Sequence, residues 1–318
     1  MTNSITHTMS AKVWAMLILL SILWGGSFFF VGIAVHELPP LTIVTLRVTL
    51  AALTLWLFAF FIGLRPPTSL KVWGSFLGMG LLNNVLPFIL IVWGQTQIAS
   101  GLAAILNAAT PIFAVVVAGL LLPDEKPTPL KIFGVAIGFI GVVTVIGLPQ
   151  LESITAIQNG HQSSVYFLAQ LAIVTATICY ALAGVYGRRF KTLGINPVLT
   201  AAGQVTASSL VLLPITITVE GNSQTFASVS NITWLAISAL AVFSTAMAYV
   251  LYFKILAQAG ATNVLLVTLL VPVSAILLGA AFLNESLATT HFIGMMIIAL
   301  GLSAIDGRLW QKWRTHPS

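Results

Sequence analysis

Long apolar runs, separated by short polar breaks, occupy almost the whole of this chain. They cover 12–34, 41–63, 70–92, 100–122 and 128–148 and, after a polar stretch, 163–186, 196–219, 230–253, 260–283 and 287–309. Each is close to the ~20 residues with which an α-helix crosses ~30 Å of hydrocarbon. The pattern therefore predicts an all-α integral membrane protein with ten transmembrane helices. Residues 1–11 and 310–318 are left as tails, and 149–162 form the longest polar connection.

Composition agrees with lipid as the solvent. Hydrophobic residues make up 58% of the chain and charged residues 6%, against about 25% charged residues in a soluble domain. Ten spans return both ends of the chain to one side. On that side fall Lys12, Arg65, Lys71, Lys126, Lys131, Arg188, Arg189, Lys191, Lys254, Arg308, Lys312 and Arg314, which leaves only Arg47 of the thirteen basic residues unplaced. Short basic flanks resist translocation, so the side that keeps them is the cytoplasm and both tails are cytoplasmic. The opposite loops carry Glu37, Glu152, Glu220 and Glu285. Adding or removing one span scrambles this partition.

The net charge of +6 follows the orientation rule and points to no nucleic-acid partner. The first apolar run is long, has no basic region ahead of Lys12 and lacks a convincing cleavage site, so it reads as a retained span. Cys179 is the sole cysteine, which rules out an intramolecular disulfide and a cysteine-based metal cluster. No metal or cofactor is expected.

The two halves align with each other. Asn83-Asn84 pairs with Ser244-Thr245, Gln97 with Gln258 and Pro111 with Pro272; past a single deletion, Glu125 pairs with Glu285, Gly134 with Gly294, Gly141 with Gly301 and Gly147 with Gly307. The units are 12–148 and 163–309, joined by an extracytoplasmic linker at 149–162. Each holds an odd number of spans, so the second enters the membrane the other way up. Inverted repeats can exchange inward-facing and outward-facing shapes about a site at their interface. A duplication kept only for packing is the plainer alternative.

Trp24-Gly25-Gly26-Ser27-Phe28 in the first span resembles the tryptophan-glycine signature of the drug/metabolite transporter superfamily. Pro39-Pro40 with Arg47, Pro111 and Pro272, Glu125 and Glu285, and the glycines Gly134, Gly141, Gly294 and Gly301 resemble its ten-helix EamA branch in their order along the chain. The likeness extends over about 13–307. It implies secondary transport, most often export of amino acids, other small metabolites or drug-like compounds, through a cavity between the halves, in a bacterial inner membrane. Trp24, Ser27 and Tyr180 are cavity candidates on this ground, with core packing the alternative for the Trp24 ring. The second half departs from the pattern, with Tyr180-Ala181 where the first has Trp24-Gly25 and no match for Arg47.

Several residues carry candidate chemistry. Arg47 is the only charge well inside a span, about six residues or ~9 Å from its outer end, and intramembrane charge is a functional hypothesis by default. An arginine at that depth also snorkels or bonds helix carbonyls, so substrate contact and a structural role both stand. As the one buried cation it could attract a carboxylate, which would favour anionic or zwitterionic substrates. Asn83 and Asn84 at mid-span, matched by Ser244 and Thr245, either hydrogen-bond between helices or line a watery site. Tyr249 lies one turn from Thr245 on the same face.

Pro87, Pro111 and Pro272 interrupt the backbone ladder and mark kinks or gates. Asn107 and Thr268, each within a turn of a proline, are secondary cavity candidates. Gly134, Gly138 and Gly141, with Gly294 and Gly301, have the small-residue spacing of close helix packing or of a homodimer contact.

Asp and Glu are confined to span ends and loops, so no proton relay is visible; His291 lies near an outer end. No G-x-x-x-x-G-K-[ST] segment offers an ATP-driven route. A membrane enzyme would need a nucleophile with an acid/base pair or metal ligands at one depth, whereas Cys179 and His291 stand apart. A non-transporting receptor or scaffold would not need polar pairs matched at mid-depth. The expected partners are a small-molecule substrate and the bilayer.

Overall fold

Every backbone polar group in hydrocarbon has to be satisfied within the protein, and a helix does this segment by segment. The computed structural model describes residues 10–147, 161–221, 226, 228–264 and 266–307, and all regular structure among them is helical. The elements are α1 (Ala11–Ala34), α2 (Pro40–Phe61), α3 (Leu70–Gln95), α4 (Ser100–Leu121), α5 (Pro129–Ile146), α6 (His161–Thr192), α7 (Pro197–Glu220), α8 (starting Asn231–Ala241 and ending Ala248–Val264), α9 (Val267–Phe282) and α10 (Thr289–Asp306). Nine of these helices are long and apolar enough to cross a membrane. The chain is thus a multi-pass membrane protein. α9 is apolar but has only 16 residues.

Local chemistry sets the boundaries. Ser10, Thr128, Asn196 and Ser230 cap α1, α5, α7 and α8, each side chain accepting a hydrogen bond from a backbone N–H of the first turn, as short polar side chains do at helix starts. Pro40, Pro129 and Pro197 open α2, α5 and α7, where their missing N–H costs nothing. Gly63 ends α2 at φ +74° and Gly194 follows α6 at φ +65°, a left-handed conformation that glycine adopts without strain.

One boundary differs from the sequence expectation. Helix α8 runs on to Val264, taking residues expected to begin the next span, and the break falls at Leu266. Gly260 is the only breaker in that stretch, and a helical glycine costs only about 1 kcal/mol. Linker residues 149–160 with Glu152, most of the N-terminal tail, and Arg308, Lys312 and Arg314 lie outside the described residues.

Packing does not follow the division of the sequence into halves. One apolar core combines α1, α4, α5, α6, α9 and α10 with the end of α8; a second combines α2, α3, α7 and the first part of α8 with the end of α1. Both cores therefore draw on both halves. The helices that the alignment equates, α5 with α10 and α2 with α7, pack directly against each other. Tyr180 touches both cores.

Candidate functional site

The middle of α3 is not α-helical. Leu81–Val85 forms a π-helical stretch, and Val242–Met247 forms another in the middle of α8. A π turn carries i→i+5 hydrogen bonds and spreads successive side chains less widely, and such turns occur often at functional sites. The two stretches hold Asn83-Asn84 and Ser244-Thr245 respectively, the pairs that the alignment matches. Pro87 follows the first closely, while Ala248 stands in its place after the second, so proline is not the shared cause.

Asn83 and Asn84 converge on Tyr249. The Asn83 amide donates to the Tyr249 hydroxyl at 3.0 Å and to Gln204 Oε1 at 3.2 Å. Tyr249 donates in turn to Asn84 Oδ1 at 2.9 Å, and the Asn84 amide donates to Ser208 Oγ at 3.3 Å. A Cβ on Gly80 would stand 2.7 Å from the Gln204 carbonyl oxygen and from Ser208 Oγ, so its absence lets α3 and α7 approach closely enough for this network. Asn84, Gln204 and Ser208 are buried; Asn83 and Tyr249 are half-buried.

Arg47 lies beside this group and is 7% exposed. Its Nε donates to Thr245 Oγ1 at 3.0 Å, and its guanidinium carbon sits 3.7 Å from the centroid of the Phe88 ring. The Thr245 hydroxyl donates in turn to the Leu240 carbonyl at 2.8 Å. The arginine thus ties α2 to the π stretch of α8, one half of the sequence to the other. Ser244 Oγ is sealed without a partner among the described residues and faces Gly26 of α1.

The remaining candidates are less concentrated. Trp24 is half-buried, with its ring 5.6 Å from that of Tyr252, on the same core as Tyr180. Ser27 is buried on α1. A Cβ on Gly25 would collide with Ser274, whose hydroxyl donates to the Ser21 carbonyl at 2.7 Å. Gly25 therefore serves the approach of α1 to α9.

Pro111 and Pro272 match in sequence but not in local structure. Helix α4 breaks at Ala108–Ala109, Pro111 begins its second stretch, and the Thr110 hydroxyl satisfies the Asn107 carbonyl at 2.7 Å. Asn107 Oδ1 is sealed and unpartnered among the described residues. Pro272 instead lies inside α9. Thr268 is half-buried in the first turn of that helix.

Gly134 and Gly141 of α5 face α10, whereas a Cβ on Gly138 would collide with Ile112 of α4. A Cβ on Gly301 would meet Gly134 O at 2.7 Å and Gly138 N at 2.7 Å, and one on Gly141 would meet Ile298 N at 2.7 Å and Gly294 O at 3.0 Å.

The acidic residues of the loops opposite the basic ones close one end of the bundle. Glu220 accepts from the Leu41 and Thr42 amides at 3.1 and 2.7 Å and from the Thr42 hydroxyl at 2.9 Å. Glu285 accepts from the Ser100 amide at 2.8 Å and the Gly101 amide at 3.3 Å, and Glu37 from the Ser230 amide at 2.8 Å. Each carboxylate therefore sits at the N-terminus of a helix from the other half, where the helix dipole favours negative charge. The Ser230 amide, with help from the Ser230 and Thr233 hydroxyls, holds the Glu37 carboxyl below the usual carboxylate range. At the opposite end Arg188 pairs with Asp124 at 3.0 Å and with Glu125, and its hydrogen bond keeps the Asp124 carboxyl low. Glu125 and Glu285, equivalent in the alignment, thus have different partners.

Sequence reasoning missed Gln204, Ser208, Phe88 and both π stretches. Gln204 and Ser208 lie four residues apart on one face of α7, the one signal that pointed to them. Among the described residues, no group of three or more His, Cys, Asp or Glu is placed to hold a metal ion.

Comparisons with known proteins agree with this architecture. The model of the EamA-like transporter family matches residues 12–147 and 167–305. An uncharacterized transporter of Bacillus subtilis, YoaV, is 24% identical over 92% of this chain and 95% of its own. An Escherichia coli protein named as a probable amino-acid metabolite efflux pump is 24% identical over 96% of this chain and 98% of its own. The uncharacterized inner membrane transporter YedA of the same species is 26% identical over 89% and 87%. One crystal structure superposes with a TM-score of 0.64 at 20% identity, over 93% of this chain and 99% of that one, a likeness of fold. With both halves matched, the chain belongs to the EamA-like transporter family and is a transporter rather than an enzyme.

Proposed function

We propose that the protein is a secondary transporter that exports small metabolites, amino acids or related compounds among them, by alternating access to the polar centre around Arg47, Asn83, Asn84 and Tyr249. In this reading α9 is a tenth span, the two halves are inverted repeats, and both termini face the cytoplasm of a bacterial cell. The single observation that carries it is the set of hydrogen bonds crossing between halves at mid-span: Arg47 to Thr245, and both asparagines to Tyr249. Polar groups at that depth are costly unless satisfied by protein, water or solute. Bonds that join the halves there would change when one half rocks against the other.

Three further observations support the reading. The π stretches recur at aligned positions. Basic residues gather at one end of the helices, the distribution expected of cytoplasmic loops. A relative is named as an amino-acid metabolite efflux pump. In this scheme Pro111 and Pro272 mark gate helices, and α5 with α10 form a scaffold.

The test is purified protein in liposomes loaded with metabolite mixtures. Saturable, protein-dependent flux of a small metabolite without chemical conversion is expected. Tight binding or conversion with no flux would overturn the proposal.

A further inference from the structure

The guanidinium of Arg47 is only partly used. One edge is fixed by the bond from Nε to Thr245, and one face lies on Phe88. Among the described residues its two terminal nitrogens have no hydrogen-bond partner, and neither is fully sealed. A guanidinium offers five N–H donors in a planar fork, and the free edge of that fork matches the two oxygens of a carboxylate.

The charge is also uncompensated. Among the described residues the ion pairs are those of Arg188 with Asp124 and Glu125, both exposed, and no carboxylate reaches Arg47. A buried cation without a counter-charge is strongly disfavoured. A bound anion removes that penalty, and a second cation adds to it. The neighbouring side chains are aromatic: Phe88 lies beneath the guanidinium, and Tyr180 and Tyr249 are within electrostatic range. An ammonium group on a solute would find ring faces and neutral amide or hydroxyl oxygens there, weak substitutes for a carboxylate.

Resting on the reading of this centre as the solute site, we propose that it selects small monocarboxylates with an apolar or aromatic body, the carboxylate held by the terminal nitrogens of Arg47, in preference to zwitterionic amino acids. The Nε bond keeps the fork aimed, and because its partner Thr245 belongs to the other half, binding at the fork is felt by both halves.

The test uses the full chain in detergent and in liposomes with three probes of similar shape: phenylacetate, its neutral analogue phenylacetamide, and phenylalanine. Binding is read by ligand-induced shift in Tm and by titration. Phenylacetate, ionised at neutral pH, is expected to bind about tenfold or more tightly than phenylacetamide, as a charge-assisted hydrogen-bonded pair implies, with phenylalanine in between. Arg47→Gln is expected to erase the difference between acid and amide.

Equal affinity of acid and amide in the unsubstituted protein overturns the proposal without need of a variant. An acid preference that survives Arg47→Gln also overturns it. Flux of phenylalanine with no acid preference leaves transport standing and removes this selectivity. An Arg47-dependent acid preference with no flux of any metabolite does the reverse.

Discussion

Where α5 crosses α10, the two halves of the chain meet backbone to backbone. Gly134, Gly138, Gly141, Gly294 and Gly301 leave no space for a Cβ, and none of the sealed, unpartnered polar atoms belongs to either helix. Where α2 and α3 meet α7 and α8, the halves are joined by amides, hydroxyls and a guanidinium, and the match is incomplete: among the described residues Ser244 Oγ has no partner and the Arg47 fork is half used. In lipid, apolar side chains gain little by leaving their surroundings, so helices are held by close packing and interhelical hydrogen bonds. A region in which every atom is matched is suited to holding. One that leaves strong donors open in the interior is suited to receiving a solute.

That contrast can be broken at its tight end first. Gly301→Leu forces a side chain into the Gly134 and Gly138 backbone, which cannot yield as a flexible side chain would. A cost of about 3 kcal/mol or more is expected, seen as a large loss of monodisperse protein on fluorescence-detected size exclusion. Gly184, where a Cβ would meet nothing within 4 Å beyond its own stretch of helix, is the control: Gly184→Ala should leave abundance unchanged.

At the polar centre the expected order reverses, with function lost before fold. Trp24→Ala should abolish flux at unchanged membrane abundance; equal loss of protein would assign the ring to packing. Tyr249→Phe removes the hydroxyl shared by Asn83 and Asn84. It should destabilise by about 1 to 2 kcal/mol, measured as a lower Tm. Ser244→Ala removes a hydroxyl with no partner and should change stability by no more than about 0.5 kcal/mol.

The smallest effect concerns the acidic end. The folded-state pKa of Glu37 is depressed by the Ser230 amide, so its contribution is present above the ordinary carboxylate range and is lost as pH falls through the lowered value. The protection of the Ser230 amide against hydrogen exchange, taken relative to its intrinsic rate at each pH, should fall in acid, and Glu37→Gln should remove that pH dependence of protection.

The helices were legible in the sequence because lipid leaves the chain few other options, and a run such as 41–63 admits one reading. Arg47 and the pair Asn83-Asn84 stood out for the same reason, as polar residues where polarity is costly. Gln204 and Ser208 did not, since α7 also carries Thr200, Thr206 and Ser209 and nothing local separates those that meet α3 from those that meet α2. The π stretches were hidden because no residue type demands them: one precedes a proline and the other does not. The helix-capping roles of Glu37, Glu220 and Glu285 depend on helix ends brought together by tertiary packing, and in the sequence they read as loop charge. The hydropathy pattern ends the eighth span at 253 and opens the next at 260, but a helix need not stop where its hydropathy dips, and α8 continues to Val264.

The central claim is that Asn83, at the heart of the polar centre, meets each side of the membrane in turn. Cys179 is the only cysteine and is buried, so a Cys179→Ser background carrying Asn83→Cys offers a single reporter. Membrane-impermeant thiol reagent should label it from either face of oriented vesicles, with transported solute protecting it from both. Labelling from one face only, or none under any condition, would contradict alternating access at this site.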